Sequence, residues 1–154
     1  MSKRRIHFVL NGRNVSAEVE PHHNLIELLQ QFDLCGARES CGQGLCGCCT
    51  VAVDETMVSG CLYFAVRADG RTIRTVEHFD AEGALSPLQQ AFIERGAFQC
   101  GFCTSGFIMM GDDLMKSNPK PSDEEIRDHL CGNLCRCAAY PEIVQAIKDV
   151  AAES

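Results

Sequence analysis

Cysteine carries most of the reactive chemistry in this sequence. There are eleven in 154 residues, and most fall into two groups. The first is Cys41-Gly42-Gln43-Gly44-Leu45-Cys46-Gly47-Cys48-Cys49, with Cys61 further on. The second joins Cys100-Gly101-Phe102-Cys103 to Cys135-Arg136-Cys137 across 31 intervening residues. Cys35 and Cys131 stand outside both. Thiols grouped in this way either form disulfides or bind metal. An odd total fits poorly with a closed disulfide framework, and a reducing compartment does not maintain one. Metal binding is the leading account.

Within the first group, Cys41, Cys46 and Cys49 follow C-x4-C-x2-C, the spacing of plant-type [2Fe–2S] ferredoxins, and Cys61 completes the four. Such a loop must wrap tightly so that three thiolates converge from a short segment. Gly42, Gly44 and Gly47 supply the positive φ values and close approach this requires, and amide N–H groups along the loop can point at the sulfurs. Cys48 beside Cys49 leaves two candidates for the third ligand, and the spacing selects Cys49. The second group offers four thiolates, Cys100, Cys103, Cys135 and Cys137, from two separate turns. Each pair lies at or next to an expected helix start, where free N–H groups and partial positive charge favour an anionic centre. By spacing alone this second group also suits zinc.

The elements that position these groups are legible in outline. Ile6, Phe8 and Leu10 alternate with polar neighbours, as do Val15, Ala17 and Val19. Asn11-Gly12 between them is a favoured hairpin turn. Asn24 with Glu27 predicts a capping box and a short helix to about Phe32. Strands are expected at Thr50–Val53, around Met57–Val58, and at Thr72–Val76. Around residues 77–85 helix signals take over. Ser86-Pro87 opens a helix over Leu88–Arg95, with Gly96 as its stop. Further helices are expected at Thr104–Lys116, from the Ser122–Glu125 capping box to about Leu130, and from Pro141 to about Ala151. The chain thus divides into a β-rich half, 1–78, and a four-helix half, 79–154.

Composition narrows the class. Hydrophobic residues make up 45% and charged residues 23%, which suits a soluble globular chain. A net charge of −7 argues against a nucleic-acid partner, because phosphate binding needs clustered Lys and Arg. No apolar run reaches the length of a membrane span. Arg4-Arg5 before Ile6–Leu10 has a faint likeness to a twin-arginine signal, but polar Asn11-Gly12-Arg13 follows at once. A first strand and a cytoplasmic location are expected instead.

Three motifs in order then resemble one family. Cys-Gly-x-Gly-x-Cys-Gly-x-Cys-Thr at 41–50, Gln-Cys-Gly-Phe-Cys-Thr-x-Gly at 99–106 and Gly-Asn-Leu-Cys-Arg-Cys at 132–137 are similar to the small iron–sulfur subunit of the xanthine oxidase family of molybdenum hydroxylases. The resemblance covers nearly the whole chain. It implies an α+β protein, a plant-ferredoxin-like β-grasp domain followed by a four-helix bundle, with one [2Fe–2S] cluster in each. It implies Cys41, Cys46, Cys49 and Cys61 as ligands of the first cluster, which lies toward a flavin subunit. Cys100, Cys103, Cys135 and Cys137 hold the second, next to molybdopterin, with Cys137 and Gln99 reaching the pterin. Molybdopterin cytosine dinucleotide and FAD are implied on a large and a medium partner subunit, in a complex that dimerises. Peripheral departures are Cys48 for a usual Ala, Cys131 for Ser or Ala, Ser40 for Gly, Ser105 for Pro, and Ala138-Ala139 for Thr-Gly.

Other notable residues have plainer readings. Cys35, Cys48 and Cys131 read as buried reduced thiols. His22-His23 reads as a solvated loop, Phe107 to Met110 as helical core, and Phe102 as a shield over the second cluster. Arg136 is left open between a role in tuning and a surface charge. The function expected is an electron relay from a molybdenum centre through the second cluster, then the first, to flavin or another acceptor. The family spans oxidation of carbon monoxide, aldehydes, purines and other N-heterocycles, and the large subunit decides among them. The competing functions are a freestanding ferredoxin-like carrier, which would not need the helical half, and a structural zinc protein.

Overall fold

The computed structural model describes residues 3–80 and 83–153. Residues 81–82, inside the stretch where the sequence changes character, lie outside the described residues. The first half is a five-stranded mixed sheet in the order β2-β1-β5-β3-β4. Strands β1 (Arg4–Leu10) and β2 (Arg13–Val19) form the expected hairpin, and Asn11 and Gly12 turn it with φ of 48° and 80°. Only residues tolerant of positive φ fit both corners of such a turn. Arg4 and Arg5 are thus strand residues. Strands β3 (Thr50–Val53) and β4 (Thr56–Ser59) form a second hairpin, and β5 (Thr72–Arg74) joins the two, parallel to β1 and antiparallel to β3.

Helix α1 (Leu25–Gln30) covers this sheet with Leu25, Ile26, Leu28 and Leu29, all buried. Its capping box forms as expected: the Asn24 side chain accepts from the Glu27 N–H, and Glu27 accepts from the Asn24 N–H. The helix stops two residues short of Phe32, because Asp33 turns to φ 59° and the Leu34 N–H reaches back to Leu29 O. Strand β5 likewise ends before Val76. The Thr75 N–H bonds the Asn11 side chain instead of a neighbouring strand, and the Thr75 hydroxyl bonds Glu77. The chain then enters a 3-10 turn at Val76–Asp80.

The second half holds α2 (Pro87–Glu94), α3 (Thr104–Ser117), α4 (Asp123–His129) and α5 (Tyr140–Glu153). Ser86 and Ser122 cap α2 and α4 with reciprocal bonds from Gln89 and Glu125. Their shared core contains Leu88, Phe92, Phe107, Ile126, Ile143 and Ile147. Phe107 and Ile108 are buried in it, Met110 packs against it, and Met109 is fully buried, so this run packs core rather than lining a path. The sheet and α1 enclose a separate core around Ile6, Leu28, Val51 and Ile73. Among the described residues no helix is long and apolar enough to cross a membrane.

The halves meet along β3, β5 and α3. Buried Arg74 of β5 pairs with Asp112 of α3 at 2.8 Å and with Glu55 at 3.1 Å, and its guanidinium lies 5.5 Å from the Phe79 ring centre. Lys116, one turn beyond Asp112, joins the same carboxylates.

Candidate metal centre

The first cysteine loop has its polar backbone sorted by direction. Cys41 Sγ accepts N–H bonds from Gln43 (3.3 Å) and Leu45 (3.4 Å), which Gly42 and Gly44 permit at φ 62° and 71°. The carbonyls point the other way. Cys46 O accepts from the Leu134 N–H, Gly47 O from the Asn133 side chain, and Cys48 O from the Arg38 N–H. Two of those donors belong to the helical half, so the interface between halves holds the loop with its amides free for sulfur. Packing there is tight. A side chain at Gly106 of α3 would strike Gly47 O, and one at Gly47 would meet Asn133 at 2.5 Å.

Each sulfur quartet is built as two close pairs. In the first, the Cys41 thiol interacts with Cys46, and Cys49 with Cys61, while the extra thiol, Cys48, also lies against Cys46. In the second, Cys100 pairs with Cys137 and Cys103 with Cys135. The one trio of metal-binding side chains whose ligand atoms all lie within 4.8 Å, among the described residues, is Glu20, His22 and His23 on the loop before α1. A single zinc draws four ligands round one point, whereas a dinuclear cluster takes two thiolates at each iron. The two-plus-two arrangement and the amide donors fit [2Fe–2S] chemistry. A cleft of about 460 Å³ runs between the quartets, lined by Cys41, Cys46 and Cys48 on one side and by Cys100, Phe102 and Cys103 on the other.

The thiols differ in electrostatic setting. The Gln43 and Leu45 amides bring Cys41 down to about 6, so it is mostly thiolate at neutral pH. Burial pushes Cys49 up to about 11 and Cys103 up to about 12. The Phe102 amide, then the Cys137 thiol, lower Cys100, and the Arg38 charge adds to the effect. Of the expected helix starts, Cys103 is itself the N-cap of α3. Cys135 and Cys137 lie in a turn before α5, where the Cys135 N–H donates to the Tyr140 hydroxyl at 2.8 Å and Ala138 has φ 61°. Gln99, on the exposed rim, donates its side-chain amide to Cys137 O at 2.9 Å.

Three expectations need correction. Cys35 and Cys131 are exposed, not buried, because Cys35 sits on the outer arc of the loop after α1 and Cys131 follows the α4 C-cap in a surface turn. Cys48 is buried as expected, and burial pushes it up to about 12. Phe102 is an incomplete shield, since it remains 42% exposed. The reading of the sequence passed over Arg38, the residue that joins the two cysteine loops. Its place three residues before Cys41 was the available signal.

Comparison with known proteins agrees with this geometry. Residues 8–78 match a 2Fe-2S iron–sulfur cluster binding domain, and residues 75–148 match a [2Fe–2S] binding domain. The nicotine 6-hydroxylase small subunit of Paenarthrobacter nicotinovorans is 45% identical over 91% of this chain and 85% of its own length. The xanthine dehydrogenase iron–sulfur-binding subunit of Escherichia coli O157:H7 is 43% identical over 94% and 92%. The crystal structure of quinoline 2-oxidoreductase from Pseudomonas putida 86 superposes with a TM-score of 0.93 at 39% identity, over 97% of this chain and 93% of that one. Fold and thiol chemistry together define an electron-transfer protein, a ferredoxin-like domain followed by a helical one, both of [2Fe–2S] type. The chain belongs to the iron–sulfur subunits of the xanthine oxidase family of molybdenum hydroxylases.

Proposed function

We propose that Cys41, Cys46, Cys49 and Cys61 hold one [2Fe–2S] cluster and Cys100, Cys103, Cys135 and Cys137 the other, within two units spanning about 1–78 and 79–154. The two-plus-two pairing of sulfurs carries this reading, and the direct contact of Cys49 with Cys61 favours Cys49 over Cys48 as the third ligand. The first unit has the order of a β-grasp sheet, and α2–α5 form the four-helix bundle. When bound, the clusters pass single electrons from a molybdopterin cytosine dinucleotide centre on a large subunit to FAD on a medium subunit. This chain's residues hold and tune them: the Gln43 and Leu45 amides stabilise charge on Cys41 Sγ, and burial around Cys49 and Cys103 excludes water.

Cys137 and the exposed Gln99, whose side chain donates to Cys137 O, are proposed to face the large subunit and contact its pterin. The complex dimerises and works in the cytoplasm, and the large subunit selects the substrate. The complex purified anaerobically should contain four irons and four acid-labile sulfides per copy of this chain, two for each cluster. Reduction with dithionite should give two distinct EPR signals. Zinc in place of iron, or half that iron content, would refute the assignment.

A further inference from the structure

Arg38 reaches both thiolate loops. Its backbone N–H donates to Cys48 O at 3.0 Å, inside the first loop. Its guanidinium donates to Gly101 O at 2.7 Å and lies within 3.4 Å of Phe102 O, in the turn between Cys100 and Cys103. The same guanidinium sits 5.6 Å from the centre of the Phe102 ring. The planar guanidinium lies over an aromatic face while one of its nitrogens reaches the carbonyls, and a lysine ammonium does not reproduce that stacking. Among the described residues no carboxylate pairs with Arg38, and the neighbouring Glu39 side chain is held by Asn24 at 3.0 Å. The half-buried positive charge is therefore not cancelled by an ion pair. It stands beside the turn that presents Cys100 and Cys103.

We propose that Arg38 is a positioning residue for electron transfer: it fixes the Cys100–Cys103 turn against the first thiolate loop, and its charge raises the reduction potential of the centre on Cys100, Cys103, Cys135 and Cys137. The inference rests on the electron-transfer reading above. Uptake of one electron adds one negative charge to that centre and makes or breaks no bond. A fixed cation nearby stabilises the reduced form more than the oxidised one. The other centre is set mainly by the amides of its own loop, so the effect is selective.

The test is a redox titration of the whole purified complex followed by EPR, comparing wild type with Arg38→Gln and Arg38→Lys. Arg38→Gln should lower the reduction equilibrium constant of one cluster about tenfold, 59 mV for one electron, and leave the other within twofold. Arg38→Lys keeps the charge but loses the planar stacking on Phe102, and should lower the same cluster about threefold. If Arg38→Gln does not load its second cluster, that smaller shift decides alone. Unchanged potentials in the loaded variants, or equal shifts in both clusters, would overturn the proposal while leaving the relay intact. Absence of two [2Fe–2S] signals in the wild type would sink the underlying reading as well.

Discussion

The two sulfur quartets solve one problem by different means. The first draws three cysteines from nine consecutive residues and a fourth from the turn after β4. Its geometry is written locally, in glycine φ values and in amides aimed at Cys41. The second draws from two turns that only the packing of α3, α4 and α5 brings together. Among the described residues, the first loop is hydrogen-bonded to the helical half only through Leu134 and Asn133, so it depends less on that half's core than the assembled site does. The second quartet should therefore be the first to report damage in the helical core.

Four experiments test that contrast, the largest effect first. Cys137→Ser should remove one of two EPR-distinct clusters, halve the iron content and stop turnover of the complex. Retention of both signals would break the ligand assignment. Ile143→Ala, at a position 1% exposed in the helical core, should cost about 2–5 kcal/mol. On warming, that variant should lose the signal of the second cluster before that of the first; simultaneous loss would show that the halves unfold as one unit. Gly106→Ala drives a methyl group into Gly47 O at the seam. A cost of about 1–3 kcal/mol by denaturant titration is expected, with both signals broadened. Cys48→Ser should leave both clusters and the iron content unchanged, because its buried thiol, donating to Cys46 O at 3.9 Å, is the extra sulfur of the loop and not a ligand in the proposed set. Loss of a cluster there would move the third ligand from Cys49 to Cys48.

Much of this was legible in the sequence because its signals are short-range. The Asn11-Gly12 turn, the capping residues Asn24, Ser86 and Ser122, and the spacing of Cys41, Cys46 and Cys49 each act within a few positions, and each marks its element. What was not legible acts across the fold. The parallel pairing of β5 with β1 joins segments more than sixty residues apart, and the Arg74–Asp112 pair crosses from sheet to helix. The contact of Arg38 with the Cys100–Cys103 turn likewise spans more than sixty residues. Cys35 and Cys131 were misjudged for a related reason. A thiol's burial depends on which elements cover it, and nothing close by in the sequence records that.

The contact of Gly106 with the Gly47 carbonyl has a consequence beyond packing. Backbone meets backbone there with no side chain to yield, and close-packed interiors compress little. The spacing between the first cysteine loop and the helical half is thereby set when the chain folds. The module works as a spacer of set length, so neighbouring chains can differ in what they oxidise without recalibrating the hop.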